Sequence, residues 1–513
     1  MHAETCSFQH VATFAYTASA FLPNASANCL LKFYLPYCFV CLRNYNYPHY
    51  PVFCRRLVNY RSYQPVITIS RKGWLLVKTI RFQYHLLYLL RIVRFPRPWR
   101  EHHEDPARMS TKMQLYLGYK YYFKAMVEDE VRSGIKAALL NSELKLDTPA
   151  DFHISNTYTL HAGGDLIPYT AITPDTCKHL WNHVGDFFFG ADLVVANLES
   201  PADFSKPYSA APEVMLNDMY FNIDAPTWNI FNGNGQHKGY DLVSIANNHS
   251  LDQGEEGLQN TIAFLNKQGV ARTGAAESAI GIHTVPVLER KGIKTGFIAA
   301  TFSLNKMQVP PHQPWLCNHI LLNEENPDIS RLIDQADIAR ANGADCVVAM
   351  LHMGCAYQAF PGSIVRNNIH RICDATNADI IIAGHPHHAQ PIELYHSTVT
   401  GKQHVIIYSL GDFIAYDIYK WGHLTLLLHL EISKGMRDGK QETRVTRIGL
   451  KPAYMHAKIQ QQQVTDLQLL DYQQVKQSPN TYLKGKQSQQ EFAELTDFFE
   501  RFVLPPHQQH LLI

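Results

Sequence analysis

The segment Gly384-His-Pro-His-His388 follows the apolar run Asp379-Ile-Ile-Ile-Ala383, which has the length and composition of a buried strand. His385 and His387 are two residues apart, and the proline between them stiffens the loop, so both imidazoles can face one centre. Imidazoles are common ligands of divalent metals, and strand ends are common ligand positions in α/β sheets. The segment therefore indicates a metal site, with His388 as a supporting or surface residue.

Four other strand-like runs also end in polar residues. These are 158–162 before Asp165, 192–196 before Glu199, 241–246 before Asn248 and His249, and 346–351 before His352. Buried polar groups need partners, and a shared metal would supply one. Single residues have structural explanations, such as a turn at Asp165, a helix cap at Glu199 and a core histidine at His352. Their joint placement favours a metal site with the ligands Asp165, Glu199, Asn248, His352, His385 and His387.

His249 lies beside the predicted ligand Asn248, where it can protonate a leaving group or stabilise a developing oxyanion. Asp252 has a structural interpretation as well. It can cap the helix predicted over 254–268, with Glu255 three residues further on.

The elements that must position these residues alternate along the chain, which predicts an α/β sheet covered by helices. The predicted strands are 157–162, 192–196, 241–246, 294–300, 346–351, 379–383 and 404–409, and the predicted helices are 175–188, 254–268, 327–341 and 363–376. Residues 422–432 and 442–450 predict a closing β-hairpin. We interpret 111–156 as a helical lead-in, 157–457 as the main domain, and 458–513 as a Gln-rich helical tail with a helix over 491–502.

The first 110 residues carry 14 Lys and Arg against 4 Asp and Glu, whereas the other 403 carry 32 against 41. A basic segment can bind a membrane surface or a nucleic acid. Charges interrupt its most apolar stretch, 74–95, which suits a basic interfacial helix better than a spanning one. It has no nucleic-acid-binding motif, so we expect no nucleic-acid partner. We interpret 1–110 as lying upstream of a true start near Met109 or Met113, or as disordered.

The ten cysteines show no disulfide framework, and the one CxxC pair, Cys38 and Cys41, has no second pair or Cys/His partner set at zinc-site spacing. Cys346 is expected to be a small core residue. The chain also lacks the layout of a signal peptide. Both features predict a cytoplasmic location.

Six motifs occur in a fixed order over 157–455. They are Gly-Gly-Asp165-Leu-Ile, Asn197-Leu-Glu199-Ser-Pro, Asn-Asn-His249-Ser-Leu-Asp252-Gln-Gly254, His352-Met-Gly354, Gly384-His-Pro-His387 with Gln390-Pro391, and Tyr408-Ser-Leu-Gly-Asp412-Phe. This ordered set resembles the capsule synthesis protein CapA family of bacteria, which is linked to poly-γ-glutamate capsule synthesis and related to calcineurin-like metallophosphatases. The resemblance implies a metallophosphatase-like α/β sandwich, here with a C-terminal β-hairpin and a helical tail.

The resemblance also implies roles for individual residues. Asp165 resembles the ligand of the first strand, Asn248 the ligand beside the proton donor His249, and Glu199 a bridging carboxylate. The residues expected to support these ligands or to contact substrate are Asn197, Asn247, Asp252, His388 and Asp412. Three positions depart from the pattern: Ile167 replaces a histidine, Ala356 a glutamate and Asp412 an asparagine. The cofactor implied is one or two divalent ions of Mn, Fe or Zn.

Two functions are compatible with this pattern. The first is a metal-dependent hydrolase that cleaves a phosphoester or an amide-type bond with a metal-activated water. The second is a non-catalytic accessory or binding component of capsule polymer assembly, which Ala356 favours. The expected partners are a polymer, phosphoester or γ-glutamyl substrate and capsule-assembly proteins. The resemblance adds membrane association as the alternative location.

Overall fold

The computed structural model describes residues 71–89, 104–123, 125–127, 130, 132–216, 219–461 and 463–513. The predictions that fall on 1–70 and 90–103 lie outside these residues. Val66–Ile513 is one compact unit.

The strands are β1 His153–Leu166, β2 Leu193–Leu198, β3 Leu242–Ser244, β4 Ala271–Thr273, β5 Val287–Arg290, β6 Ile293–Thr301, β7 Cys346–His352, β8 Ile380–Gly384, β9 Ile392–His396, β10 Gln403–Ile407, β11 Asp412–Ile414, β12 Leu424–Arg437, β13 Lys440–Gln460 and β14 Gln463–Asp471. The helices are α1 Arg71–Leu89, α2 Thr111–Phe123, α3 Ile135–Leu140, α4 Gly185–Phe189, α5 Ala225–Phe231, α6 Gly254–Gln268, α7 Ser330–Ala341, α8 Ser363–Thr376, α9 Tyr472–Gln477, α10 Pro479–Tyr482 and α11 Lys486–Phe502.

Two sheets form the centre of the fold. The first has the order β14-β13-β12-β1-β2-β3-β4, with β11 also paired to β1, and the second has the order β5-β6-β7-β8-β10-β9. Strands β1 to β4 are parallel, as are β6, β7, β8 and β10. The sheets contact each other through β1 and β6, where the hydroxyls of Tyr158 and Thr295 lie 2.5 Å apart. This two-sheet α/β architecture confirms the fold class that the resemblance implied.

The central strands are apolar because both of their faces are covered. All seven residues of β7 are buried, and so are the first four residues of β8. Parallel strands buried on both faces read as continuous apolar runs, so their polar residues occur where the strands end. These carboxyl ends carry Asp165, Glu199, His352 and His385.

Most predicted elements agree with the structure, including the helices over 254–268, 327–341 and 363–376 and the hairpin of β12 with β13. The helix predicted over 175–188 is wrong over most of its length, because only α4 is helical there. The carbonyls of Thr176 and Leu180 accept hydrogen bonds from Leu467 and Leu469 of β14. These tertiary bonds occupy carbonyls that helical hydrogen bonds would require, and the segment forms turns instead.

The Gln-rich tail is only partly helical, because β14 extends the first sheet within it. Its last helix, α11, packs with buried Phe492, Leu495 and Phe499 and also buries Glu491. Glu491 accepts a hydrogen bond from His423 Nδ1 at 2.8 Å. The tail is therefore packed into the compact unit.

The structure describes part of the basic segment 1–110. Helix α1 packs on α2, where Tyr84 donates a hydrogen bond to the carbonyl of Leu115, and Glu104 and Asp105 are buried. Among the described helices, none is both long enough and apolar enough to cross a bilayer. The start site, the domain division and the cytoplasmic location stay predictions.

The His423–Glu491 pair predicts a pH-dependent contribution to stability. Burial alone would lower the pKa of His423, but the hydrogen bond and charge of Glu491 outweigh burial and raise it. The stabilisation is therefore fully present below the ordinary pKa of 6.5 and is lost as the pH rises through the raised pKa. In urea unfolding, Glu491→Gln should cost about 2 kcal/mol near pH 6 and progressively less above it.

Glu494→Gln is the matched control, because Glu494 lies on the same helix and pairs with Lys420. Lysines ordinarily stay charged across this pH range, so the cost of the control should change little. Equal pH dependence in the two variants would contradict the assignment to His423.

Candidate metal centre

The candidate centre lies where the carboxyl ends of β1, β2, β7 and β8 meet. The Gly163-Gly164 pair makes an irregularity in β1 just before Asp165, where the register with β2 shifts. A Cβ on Gly164 would lie 1.8 Å from the carbonyl oxygen of Gly411, so only glycine fits there. The two glycines thus let the end of β1 approach the loop that precedes β11.

Asp165 connects the two sheets. Its Oδ1 accepts a hydrogen bond from Asn197 Nδ2 at 2.8 Å, and its Oδ2 accepts one from the backbone N–H of His385 at 3.0 Å. Burial, and then the negative charge of Glu199, raise the pKa of Asp165 to about 7. Gly384 makes this approach possible, because a Cβ there would lie 2.6 Å from Asp165 Oδ1.

Glu199, Asn248 and His352 converge beside Asp165. His352 Nε2 lies 2.9 Å from Asn248 Oδ1 and 3.5 Å from Glu199 Oε1. Two ligand atoms of one divalent ion, each about 2.1 Å from it, are about 3 Å apart at octahedral angles and about 3.4 Å apart at tetrahedral ones. The spacing of His352 and Asn248 therefore suits a shared ion.

The histidine loop is held in an unusual backbone conformation. His385 has φ of 100° and His387 has φ of 62°, values that residues other than glycine rarely adopt. Such strain persists where the surrounding structure imposes it, and it is common at functional sites. Asp412 Oδ1 lies 3.0 Å from His387 Nδ1, which fixes that ring and directs Nε2 away from Asp412.

Two groups of ligand atoms can hold a divalent ion, and they share Glu199. One comprises Glu199, His385 and His387, the other comprises Asp165, Glu199 and His352, and the ligand atoms within each group lie within 4.8 Å of one another. Among the described residues, neither oxygen of Glu199 and neither ring nitrogen of His385 has a hydrogen-bond partner, although all four atoms are buried. Buried polar atoms without partners are costly, so this donor set fits a metal.

The electrostatics of His385 and Glu199 are consistent with that fit, whereas at His387 the charge and hydrogen bond of Asp412 outweigh burial and raise the pKa to about 10. Burial, followed by the charges of His352 and His387, lowers the pKa of His385 well below its usual value. Burial would raise the pKa of Glu199, but the neighbouring histidines, His352 first, lower it overall. A neutral imidazole beside an ionised carboxylate is the protonation state that metal binding requires.

His249 lies at the edge of the centre and pairs with Asp252. Its Nδ1 is 2.6 Å from Asp252 Oδ2, and its ring stacks on Phe221 with centroids 4.1 Å apart. Burial alone would lower the pKa of His249, but the charge and hydrogen bond of Asp252 raise it. The interpretation of Asp252 as the cap of α6 is wrong, because Gln253 occupies the N-cap position and no side chain caps that helix.

The other predicted residues surround the ligand set. Asn247 donates to Asn197 Oδ1 and to the carbonyl of Leu198, and its own Oδ1 accepts from the His249 N–H. His388 is fully buried, so the surface alternative is wrong for it. Ile167 and Ala356 stand where the family pattern has a histidine and a glutamate. Both are buried and apolar, so neither can supply a metal ligand.

Sequence reasoning missed several residues that contact the centre. Phe302 packs on His385 at 4.6 Å between ring centroids, and Asn305 Oδ1 accepts a hydrogen bond from Asn248 Nδ2. Tyr357 stacks on His387 at 5.2 Å. The sequence spacing of these residues gives no signal that they contact the centre, because only the tertiary structure brings them to the strand ends.

A model of the family described as bacterial capsule synthesis protein PGA_cap matches residues 159–417, about half of the chain. The chain belongs to this family. The match confirms the resemblance drawn from the motifs, and it contains all the predicted ligands.

Three relatives illustrate the similarity. The PGA biosynthesis protein CapA of Bacillus subtilis is 27% identical over 249 residues, which are 46% of this chain and 56% of that protein. The capsule biosynthesis protein CapA of Bacillus anthracis is 24% identical over 245 residues, 46% and 53% of the two chains. A probable polyglutamine synthesis accessory protein of Mycobacterium tuberculosis is 27% identical over 184 residues, 34% and 44%. The chain spans about half the length of these relatives.

Two solved structures are also similar. A hypothetical protein from Thermus thermophilus has a TM-score of 0.34 and 14% identity, covering 57% of this chain and 98% of that one. The calcineurin-like phosphoesterase YfkN from Bacillus subtilis has a TM-score of 0.32 and 15% identity, covering 67% and 99%.

The contact between Gly384 and Asp165 predicts the effect of a single methyl group. Gly384→Ala should lower the free energy of unfolding by about 1–3 kcal/mol, because the new Cβ must displace the Asp165 carboxylate. Gly485→Ala is the control, since a Cβ there meets no atom within 4 Å. Urea unfolding of both variants checks the prediction, and an equal effect would contradict it.

Proposed function

We propose that this chain is a metal-dependent hydrolase of capsule polymer synthesis that cleaves a phosphoester or an amide-type bond. The observation that carries the proposal is a set of buried atoms without a hydrogen bond among the described residues, the carboxylate oxygens of Glu199 and the ring nitrogens of His385, within two groups of metal-ligand type; Glu199 Oε1 lies 3.5 Å from His352 Nε2. The names of the relatives, which refer to PGA, capsule and polyglutamine synthesis, support a glutamyl polymer as the substrate.

The proposed ligands are Asp165, Glu199, Asn248, His352, His385 and His387. A divalent ion of Mn, Fe or Zn would supply Lewis acidity and a water of lowered pKa. Asp412 would fix the ring of His387, and Asn197 would hold Asp165. The sharing of Glu199 by both ligand groups allows one ion or two.

His249 is the proposed general acid. Asp252 accepts from Nδ1 and raises the pKa of the ring, which favours the imidazolium form that carries a proton on Nε2. Phe221 stacks on the ring and fixes its plane. Donation from Nε2 would neutralise the leaving group as the bond breaks.

Ala356 and Ile167 favour a second candidate, a non-catalytic component that retains the fold for binding. Both are buried and apolar where the resemblance has a carboxylate and an imidazole. The two candidates differ in their need for a tightly bound metal.

Metal content tests the ligand set. Tag-free protein should contain near-stoichiometric Mn, Fe or Zn by plasma mass spectrometry, and His385→Ala/His387→Ala should lose it. His153→Ala/His507→Ala removes two exposed histidines outside the centre and should keep it. A folded wild type that remains metal-free after reconstitution would exclude the catalytic proposal and favour the binding role.

Variants of the His249–Asp252 pair test the general acid. On phosphoesters and γ-glutamyl amides, His249→Gln and Asp252→Asn should each lower kcat by about 10²–10⁴-fold while leaving the metal content unchanged. His179→Gln is the matched control, because His179 forms a His–Asp pair with Asp466 in an exposed position. Wild-type kcat in His249→Gln would refute the assigned role.

A further inference from the structure

Glu104 and Lys120 form a buried ion pair near the candidate centre. Both residues lie outside 159–417, the range that the family model matches. Lys120 of α2 is fully buried, and its Nζ lies 2.5 Å from Glu104 Oε1, a side chain that is only 3% exposed. Lys120 Nζ also donates to Gln358 Oε1 at 3.2 Å. Both charges belong to the segment that precedes residue 159.

The pair is bonded to the loop that follows β7. The second oxygen of Glu104, Oε2, accepts a hydrogen bond from the backbone N–H of Ala356 at 2.7 Å. Together with the Lys120–Gln358 bond, this attaches both sides of Tyr357 to the N-terminal segment. Tyr357 itself has φ of 61°, so its backbone needs such support.

Tyr357 in turn contacts the histidine loop. Its N–H donates to the carbonyl of Pro386 at 2.9 Å, and its ring stacks on His387 with centroids 5.2 Å apart and planes at 23°. Its carbonyl accepts a hydrogen bond from the N–H of Met126, also in the N-terminal segment. A chain of direct contacts thus runs from Glu104 through the loop to His387.

We propose that Glu104 and Lys120 are positioning residues that set the place of Tyr357 and, through it, of His387. The metal-binding consequence rests on the proposed function, whereas the positioning itself does not. Replacing a buried ion pair by apolar residues is often neutral for stability, so stability alone does not explain this pair. Partners outside the ligands typically change metal affinity by about 10–100-fold.

The test variant is Glu104→Ala/Lys120→Met in the full chain, because removing both charges leaves no unpaired buried ion. Hydrogen exchange of peptides over 353–360 and 384–389, measured without metal, should show loss of protection in both loops. Mn²⁺ titrated into the folded variant should bind about tenfold more weakly than to wild type.

A rescue variant and a distant control sharpen the comparison. Glu104→Gln/Lys120→Met restores an acceptor for the Ala356 N–H but not the bond from Lys120 to Gln358, so loop protection and Mn²⁺ affinity should return part of the way to wild type. Lys451→Met breaks the ion pair with Asp471 in the C-terminal part of the first sheet. It should lower the melting temperature while leaving loop exchange and Mn²⁺ affinity unchanged.

The outcomes separate the two proposals. Unchanged exchange in Glu104→Ala/Lys120→Met would overturn the positioning role, whatever the metal result. Increased exchange with wild-type Mn²⁺ affinity would limit the pair to packing and also overturn it. A wild type that binds none of Mn²⁺, Fe²⁺ and Zn²⁺ would refute the proposed metal function, while increased exchange in the variant would still support the positioning of His387.

Discussion

The carboxylate of Asp165 connects the two sheets at the point where the candidate metal centre lies. It stands at the end of a strand of the first sheet and accepts a hydrogen bond from the backbone of His385, which follows a strand of the second. The contact requires glycines at 164 and 384, since side chains there would overlap their neighbours. The relative position of the sheets and the geometry of the ligands therefore depend on the same few atoms.

The concentration of charge at this point has a physical cost. Asp165 and Glu199 are both buried, and buried carboxylates close together disfavour joint ionisation. Three histidines lie against them, and one of these, His385, has no hydrogen-bond partner within the described part of the chain. A cation reduces such repulsion and satisfies such atoms, which is why groups that repel one another can together hold a metal.

The sequence predicted the residues whose signal is local. Buried parallel strands are apolar throughout, so the polar residues at their ends, from Asp165 to His387, were evident from the pattern. Interactions between distant segments were not evident. The strand hydrogen bonds that turn 176–180 away from a helix come from residues almost 300 positions later. Asp252 has the spacing of a helix cap, yet it bonds to Phe221 and His249 because the loop at 221 covers it.

Strand β1 shows how far the folding unit extends beyond the family match. Its parallel neighbour β2 lies inside 159–417, but its antiparallel neighbour β12 begins at Leu424. A fragment cut at the limits of the family match would expose one long edge of β1, with backbone donors and acceptors open to pairing with another molecule. Such an edge favours aggregation, so the boundaries of sequence similarity are poor guides for expressing this domain as a soluble fragment.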